Sequence, residues 1–393
     1  MRERGVVDPR LLDRVRERLA EQSGEPDAES IAGAIRAEAA GLLSDTDLLA
    51  ALRYLQTEMV GAGRLEDLLA DPRVTDILVV GPRQVWADRG SGPEPAGVEF
   101  ADEDGVRRLA GRLALGAGRR LDDAQPWVDG QLSGMGRHGY TVRLHAVIPP
   151  LARDGTCISL RVLRGATQDF DALVADGAIP GKLVELVADV VRSRLAFLVV
   201  GGTGAGKTTL LNALLGHVDG RERILCVEDA PELDPKHPHV VRLVARAPNV
   251  EGAGEVPVRT LVRQALRMRP DRIVVGEVRG AEVIDLLTAL NTGHEGCAGT
   301  MHANSVAEVP ARMEALAALG GMRRDALHSQ LAAALQVVIG VARTGRGRGV
   351  VEVGLVRRGD DGLVQIEPVW TPAGSGSGLA ELRTLLNARR GIR

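Results

Sequence analysis

The stretch "FLVVGGTGAGKTTLLNALLG", residues 197–216, constrains the fold more than any other part of the chain. An apolar run is followed by glycines, then by a lysine and two threonines, and then by apolar residues at helical spacing. The segment Gly201–Thr208 fits the G-x4-G-K-[ST] pattern in the order strand, loop, helix. Glycines let backbone N–H groups face phosphate oxygens, and the helix start adds the positive end of its dipole. We therefore predict a P-loop domain that binds a nucleotide.

The loop and the first turn of the helix supply the expected nucleotide contacts. Lys207 is expected to reach the β- and γ-phosphates, and the Thr208 hydroxyl is expected to bind Mg²⁺. The chain has no Asn-Lys-x-Asp motif for reading guanine, so ATP is the expected nucleotide. The residues predicted to bind it are Gly202, Thr203, Gly204, Ala205, Gly206, Lys207, Thr208 and Thr209.

Two acidic segments follow apolar, strand-like runs. "DRIVVGEVRG" offers Glu277, and "ILCVEDAPEL" offers Glu228 with Asp229 and Glu232. Strand ends on one side of an open α/β sheet converge on the ligand crevice, so we expect Glu277 and Glu228 beside the phosphates as catalytic carboxylates. A common P-loop pattern has Asp where this chain has Gly276, so Glu228 is a candidate Mg²⁺ ligand. The alternative for both carboxylates is an ordinary solvated strand end.

The segment "NTGHEGCAGTMHAN" carries His294 and His302. We favour a histidine that hydrogen-bonds the γ-phosphate or senses its loss. Two alternatives stay open. The spacing His-x2-Cys-x4-His, with Cys297, allows a weak metal site, and the same residues fit a turn at the end of a helix.

Hydrophobic periodicity divides the chain into parts. Residues 1–60 show leucines at helical spacing and predict a helical segment. Residues 61–164 mix short strands with one helix and predict an α+β domain. Residues 165–172 are a predicted linker. Residues 173–393 alternate helix and strand, and a helix is expected over residues 179–194. The alternation predicts an α/β domain with a mainly parallel sheet and flanking helices. The segment "TPAGSGSG" of this domain is expected to be a flexible linker before a last helix.

Composition narrows the possible functions. The net charge is −3 and aromatic residues make up 2%, which weighs against nucleic acid as a partner. The three cysteines form no Cys-x-x-Cys pair, so neither a disulfide framework nor a thiolate zinc site is expected. The longest apolar stretch, residues 331–342, is too short to span a bilayer. We expect a cytoplasmic protein whose membrane role is peripheral.

The motifs together resemble one family. "GGTGAGKTTLLNALL", "VEDAPEL", "RMRPDRIVVGEVRG" and "TMHANS" occur in the order found in the type II/IV secretion ATPases. The upstream segments "DILVVGPRQVWADRG" and "VRLHAVIPPLARDGTCISLRVLR" are similar as well. The likeness covers roughly residues 60–345 and is greatest to the branch that drives tight-adherence (Tad, or Flp) pilus assembly.

The resemblance implies a RecA-like, Mg²⁺-dependent ATPase that assembles as a homo-hexamer. It implies that Glu228 lies in the family's Asp box, Glu277 is its Walker B glutamate, and His294 and His302 lie in its His box. Arg143 and Arg161 match arginines of the upstream domain that approach the γ-phosphate. The ring would dock on integral inner-membrane platform proteins at the cytoplasmic face and drive pilin extraction by domain motion.

Three further expectations complete the sequence-based prediction. A DNA-translocating ring of the conjugative type is one alternative function, and a nucleotide-gated scaffold that does not hydrolyse ATP is another. The break "GATQDFD", residues 165–171, is predicted to be a hinge that lets Arg143 and Arg161 close on the γ-phosphate and release it after hydrolysis.

Overall fold

The structure is a computed structural model. It describes residues 61–163, 168–249, 252–291, 293, 295–345 and 347–391, together with residues 11, 14–15, 18–19, 28–39, 44, 47–49, 51–52 and 55. The chain divides into two compact units, Met1–Arg164 and Gly165–Arg393.

The described part of the first 60 residues contains helix α1, Ala28–Ala39. Its apolar residues Ile31 and Ile35 are fully buried against Val15 and Leu55. The helical spacing of apolar residues thus produces a small core of its own, separate from that of the strands that follow.

The rest of the first unit is an α+β domain. Its sheet has the order β3-β2-β1-β6-β5-β4, and every neighbouring pair is antiparallel. The Asp102 side chain accepts a hydrogen bond from Gly105 N and caps α3, whose apolar face packs on the sheet. The elements are β1 Asp76–Val80, β2 Gln84–Asp88, β3 Pro93–Pro95, β4 Trp127–Met135, β5 Tyr140–Val147, β6 Cys157–Leu163, α2 Glu66–Ala70 and α3 Glu103–Gly116.

The second unit is built on one large sheet of order β15-β14-β13-β12-β7-β11-β10-β8-β9. Pairing is parallel from β12 to β9 and antiparallel from β12 to β15. The strands are β7 Phe197–Val200, β8 Ile224–Glu228, β9 Val240–Val244, β10 Arg272–Val278, β11 Ala298–Met301, β12 Val337–Thr344, β13 Gly347–Arg358, β14 Val364–Thr371 and β15 Gly374–Ser375.

Helices cover this sheet. They are α4 Phe170–Ala175, α5 Val184–Arg192, α6 Lys207–Leu215, α7 Val258–Ala265, α8 Glu282–Asn291, α9 Val309–Leu319, α10 Arg324–Ala334 and α11 Leu379–Gly391. The inner strands β7 and β8 are buried along their whole length, as expected of parallel strands covered on both faces. The packing of these helices on the sheet produces two apolar clusters. The parallel arrangement brings the carboxyl ends of β7, β8, β10 and β11 to one edge of the sheet.

The predicted α/β fold class is confirmed, and three local predictions are corrected. The helix expected over residues 179–194 begins at Val184, after a short 3-10 turn that follows Pro180. Of the predicted linker and hinge, residues 165–167 lie outside the described residues, and Phe170, which is buried, already begins α4. The segment "TPAGSGSG" contains β15, which pairs with β14 instead of forming a loose linker. None of the described helices is both long and apolar enough to cross a membrane.

Candidate nucleotide-binding site

The loop between β7 and α6 has the backbone that its glycines require. Gly206 precedes α6 with φ of 99°, in the left-handed region that favours glycine. A Cβ on Gly201 would lie 2.3 Å from the carbonyl oxygen of Val341 on the neighbouring strand β12. No side chain caps the start of α6, and a helix leaves the N–H groups of its first turn without intrahelical acceptors. The loop and helix start are thus suited to an anion.

The Lys207 side chain folds back over this loop. Its Nζ donates hydrogen bonds to the carbonyl oxygens of Gly201 (3.1 Å) and Gly202 (3.0 Å), and it lies 3.4 Å from Nδ1 of His302. Burial lowers the pKa of the Lys207 ammonium, and the negative charge of Glu277 opposes that shift. The cation is therefore held at the loop by neutral carbonyl groups, which a phosphate can replace.

Glu277 connects this cation to two other strand ends. Its Oε1 lies 2.5 Å from Nε2 of His302, within ion-pair distance but without the alignment of a hydrogen bond. Its other oxygen pairs with Arg279, and Arg279 also donates to Asp229 at 2.9 Å. Burial lowers the pKa of His302, while Glu277 raises it and the positive charge of Lys207 lowers it further. Lys207, His302 and Glu277 thus form a continuous row across α6, β11 and β10.

Glu228 ends β8 and is almost completely buried, with 3% of its surface exposed. Its Oε1 accepts hydrogen bonds from the backbone N–H groups of Glu232 (3.0 Å) and Leu233 (2.9 Å), whereas its Oε2 is buried without a hydrogen-bond partner. Burial raises the pKa of Glu228 to about 7, although the two N–H groups oppose the shift. A Cβ on Gly276 would lie 2.7 Å from Cγ of Glu228, so the Glu228 side chain fills the space beside that glycine.

The oxygen atoms near Thr208 suit Mg²⁺. The Thr208 hydroxyl donates to Oε2 of Glu232 at 3.1 Å. The backbone N–H of Glu232 in turn donates to Glu228, whose Oε2 has no hydrogen-bond partner. Mg²⁺ prefers hydroxyl, carboxylate and phosphate oxygens and retains several waters, so the side chains present fit the ion. The acidic segment after β8 contains Glu232, but the sequence gives no signal for its contact with Thr208.

The two remaining residues predicted to be catalytic belong to the first unit. Arg143 and Arg161 are opposite each other on β5 and β6 of the first unit. They pair with Asp129 (3.0 Å) and Asp76 (2.9 Å), and their role at a phosphate stays a prediction.

The alternative metal site gains no support from the described residues. The Cys297 sulfur is buried and accepts a hydrogen bond from Ile273 N. His294 lies outside the described residues. Where the chain is described, no group of three metal-ligating side chains occurs.

A cavity of about 420 Å³ lies beside the loop. It borders Gly206 and Thr209 and does not include Lys207 or His302, so it adjoins the side of the loop away from the ionic row. The sequence does not reveal this cavity, because its walls come from three distant segments. Its lining comprises Gln168, Leu173, Asp176, Ala178, Ala205, Gly206, Thr209, Leu210, Val341, Gly347, Arg348, Gly349 and Val350.

Comparison with known proteins gives consistent results. Residues 58–345 match the family model described as type II/IV secretion system protein. "Putative conjugal transfer protein Rv3659c" of Mycobacterium tuberculosis is 64% identical over 88% of this chain and 99% of its own length. "Type IV secretion system protein PtlH" of Bordetella pertussis is 31% identical over 61% of this chain and 76% of its own. The crystal structure of the pilus retraction motor PilT with bound ADP has a TM-score of 0.53 at 21% identity, over 84% of this chain and 87% of its own, a likeness in fold.

Proposed function

Since the chain belongs to the type II/IV secretion system protein family, we propose that it is a Mg²⁺-dependent ATPase that powers pilus assembly or protein secretion. It works as a homo-hexameric ring at the cytoplasmic face of the inner membrane, docked on integral-membrane platform proteins. Within this function, assembly of a tight-adherence pilus is the specific role that we propose.

The row formed by Lys207, His302 and Glu277 carries the proposal. It places a cation, an imidazole and a carboxylate at the carboxyl edge of the sheet, directly beside the phosphate loop. Hydrolysis of ATP needs a cation on the β- and γ-phosphates and a group that orients the attacking water. Lys207 supplies the first and Glu277 the second. The remaining residue, His302, touches both and so transmits the loss of the γ-phosphate to the carboxylate.

Binding replaces contacts that the loop makes with itself. In this structure Nζ of Lys207 bonds to the carbonyl oxygens of Gly201 and Gly202. Phosphate oxygens offer the same ammonium hydrogen bonds to a negatively charged acceptor, which the neutral carbonyl oxygens do not provide. When the Glu277 carboxylate turns toward the attacking water, its ion pair with Arg279 is either broken or kept. In the structure Arg279 and His302 together hold Glu277 in its resting position.

Mg²⁺ would be held by the hydroxyl of Thr208 and by Glu228, with Glu232 within reach of Thr208. The ion neutralises charge that develops on the phosphate oxygens. These residues would offer the ion oxygen ligands alone, in keeping with its preference.

Arg143 and Arg161 complete the proposed site from the upstream domain, in the same or a neighbouring subunit. Each arginine forms an ion pair with a carboxylate at the surface. Such a surface pair contributes only about 0–1 kcal/mol to stability. A γ-phosphate can therefore compete for both guanidinium groups. Their approach and release, through the segment around residues 165–169, would convert hydrolysis into domain motion.

The mass of the protein in solution with Mg-ATP, measured together with phosphate release, tests this function. We expect a hexamer that releases phosphate, and turnover that stops in Lys207→Ala and Glu277→Gln. Turnover retained in both variants would refute the catalytic assignment. A protein that binds ATP without turnover, even with membranes from the native cell, would instead support the nucleotide-gated scaffold.

DNA translocation is a second candidate, favoured by the name of the 64%-identical relative, which refers to conjugal transfer. The net charge of −3 opposes it. A DNA pump would bind DNA with an affinity that falls steeply with salt concentration, and DNA would accelerate its ATP turnover. Both properties together would favour the second candidate, whereas unchanged turnover over a range of DNA concentrations would eliminate it.

A further inference from the structure

The cavity beside the phosphate loop shares Ala205, Gly206 and Thr209 with the loop and the first turn of α6. A nucleotide whose terminal phosphates contact Lys207 must place its nucleoside within a few bond lengths of the loop. The row of Lys207, His302 and Glu277 lies outside the cavity, so the cavity is on the side left for the nucleoside. Its volume of about 420 Å³ is that of a small-molecule site.

The walls of this cavity hold one group with an unexplained position. Arg348 lies on β13, in the hairpin that follows β12. Its Cβ and Cδ would be 3.7 and 3.8 Å from a Cβ placed on Gly206, so its stem runs along the phosphate loop. The Arg348 side chain makes no hydrogen bond or ion pair with any residue that the structure describes. It is exposed and lines the cavity together with one acidic residue, Asp176, which accepts a hydrogen bond from Gln168.

The cavity lining contains no aromatic side chain. A nucleobase in such a site is usually held by stacking on an aromatic ring or on a guanidinium plane. Among the lining residues, Arg348 has the only extended planar group with a delocalised charge. Apolar side chains such as Leu173 and Leu210 form the cavity's other walls and can cover the opposite face of a base.

We propose that Arg348 stacks its guanidinium on the base of the bound nucleotide and holds it in this cavity. The inference rests on the proposed function and extends it, because it assigns a base-binding residue supplied by the ATPase unit itself. The arginines Arg143 and Arg161, by contrast, are proposed to bind phosphate.

The test compares a nucleotide with bare phosphates. Calorimetry measures binding of Mg-ATP and of Mg-tripolyphosphate, which lacks the nucleoside, to the full chain and to Arg348→Ala, Arg348→Lys and Arg357→Ala. Arg357→Ala is the matched control, since it removes the same charge from the same strand at an exposed ion pair with Glu381.

We expect Arg348→Ala to weaken ATP binding about 5- to 30-fold, in line with about 1–2 kcal/mol for a desolvated cation–π contact. Tripolyphosphate binding should stay within about twofold. Arg348→Lys should recover little of the loss, because a lysine keeps the charge and lacks the plane. Equal losses for both ligands, restored by lysine, would show a phosphate-binding role and overturn the proposal. ATP binding unchanged in Arg348→Ala would overturn it as well.

A second variant keeps the inference testable if the hairpin responds poorly to substitution. Ala178 lines the cavity, and a leucine there would fill part of it. Ala178→Leu should weaken ATP binding and leave tripolyphosphate binding intact, and the opposite pattern would place the base elsewhere. Failure of the proposed function is distinguishable, because a native protein that binds neither ligand would contradict the ATPase assignment before any variant is compared.

Discussion

The two edges of the parallel sheet in the second unit differ in whether their buried charged groups have partners. At the edge where β8 and β10 begin, Arg272 is 1% exposed and its donors are taken up by internal acceptors. It donates to Glu222 at 2.6 Å and to the carbonyl oxygen of Val191 at 2.9 Å. At the edge where the same strands end, Glu228 is buried to a similar degree with one oxygen unpartnered.

The difference separates structural charge from functional charge. A buried ion is tolerated when its partners satisfy it, and the Arg272 edge meets that condition within the fold. The Lys207 edge does not, since its ammonium rests on loop carbonyl groups and Glu228 retains a free oxygen. Such an arrangement costs stability unless a ligand completes it, which is the pattern expected of a binding site. Loss of a charged group should therefore reduce activity at the edge of Lys207, and it should reduce stability at the edge of Arg272.

Glu277→Gln should give the largest effect, on activity alone. The amide keeps the shape but cannot accept a proton or orient water as a carboxylate does, and loss of such a group lowers kcat by about 10²- to 10⁴-fold. Phosphate release at saturating Mg-ATP measures it, with Glu381→Gln on exposed α11 as the control. A stability loss comparable to the activity loss would show that Glu277 is structural after all.

Arg272→Met, at the opposite edge of the sheet, should destabilise the folded protein. Removing the cation leaves Glu222 buried with Arg194 as its remaining partner at 3.3 Å, and breaking a buried pair costs about 3–5 kcal/mol. Urea unfolding measures the change. Tripolyphosphate binding to the folded fraction should be unaffected. Arg357→Ala, which breaks an exposed pair, should cost less than about 1 kcal/mol, and an equal loss in both variants would erase the contrast between the edges.

The pKa of Glu228 predicts a pH dependence. Burial raises its folded-state pKa to about 7 from 4.5, so between these values the folded state holds a proton that the unfolded state has lost. Stability from this residue is therefore fully present below about pH 4.5 and falls, by about 3 kcal/mol in total, as pH rises to about 7. Urea unfolding without Mg²⁺ from pH 5 to 8 measures it. Glu228→Gln should lack this component, and parallel pH profiles for the two proteins would contradict the prediction.

The sequence predicts the parallel half of this sheet well because β7, β8 and β10 are continuous apolar runs bounded by polar residues. The sequence predicts the antiparallel half of the sheet, which begins at β12, less well. Residues 331–342 are one apolar stretch, yet they divide between the end of α10 and the start of β12, because periodicity cannot distinguish a buried helix end from a buried strand.

The same limit applies within the site. Motif spacing leads directly to Lys207, Thr208, Glu277 and His302. The pairing of Arg279 with both Glu277 and Asp229 depends on how two strand ends approach each other, and the position of Arg348 depends on a hairpin that returns to the loop from more than a hundred residues away. Contacts of this kind arise from tertiary packing, which no local pattern encodes.

Gly276→Ala gives the smallest expected effect and the sharpest test of the functional edge. The register pairs Val275 with Val227, which places Gly276 beside Glu228, and an added Cβ would lie 2.7 Å from the Glu228 Cγ and 3.1 Å from its Oε1. Glu228 must then move and lose its hydrogen bonds to Glu232 and Leu233, at a cost of about 1–3 kcal/mol for overpacking. Because φ at Gly276 is not positive, backbone strain adds nothing. In a double-mutant cycle, the stability loss caused by Gly276→Ala should therefore disappear when Glu228 has also been replaced by alanine. A cost that persists without the Glu228 side chain would mean that the glycine serves the strand itself rather than the carboxylate beside it.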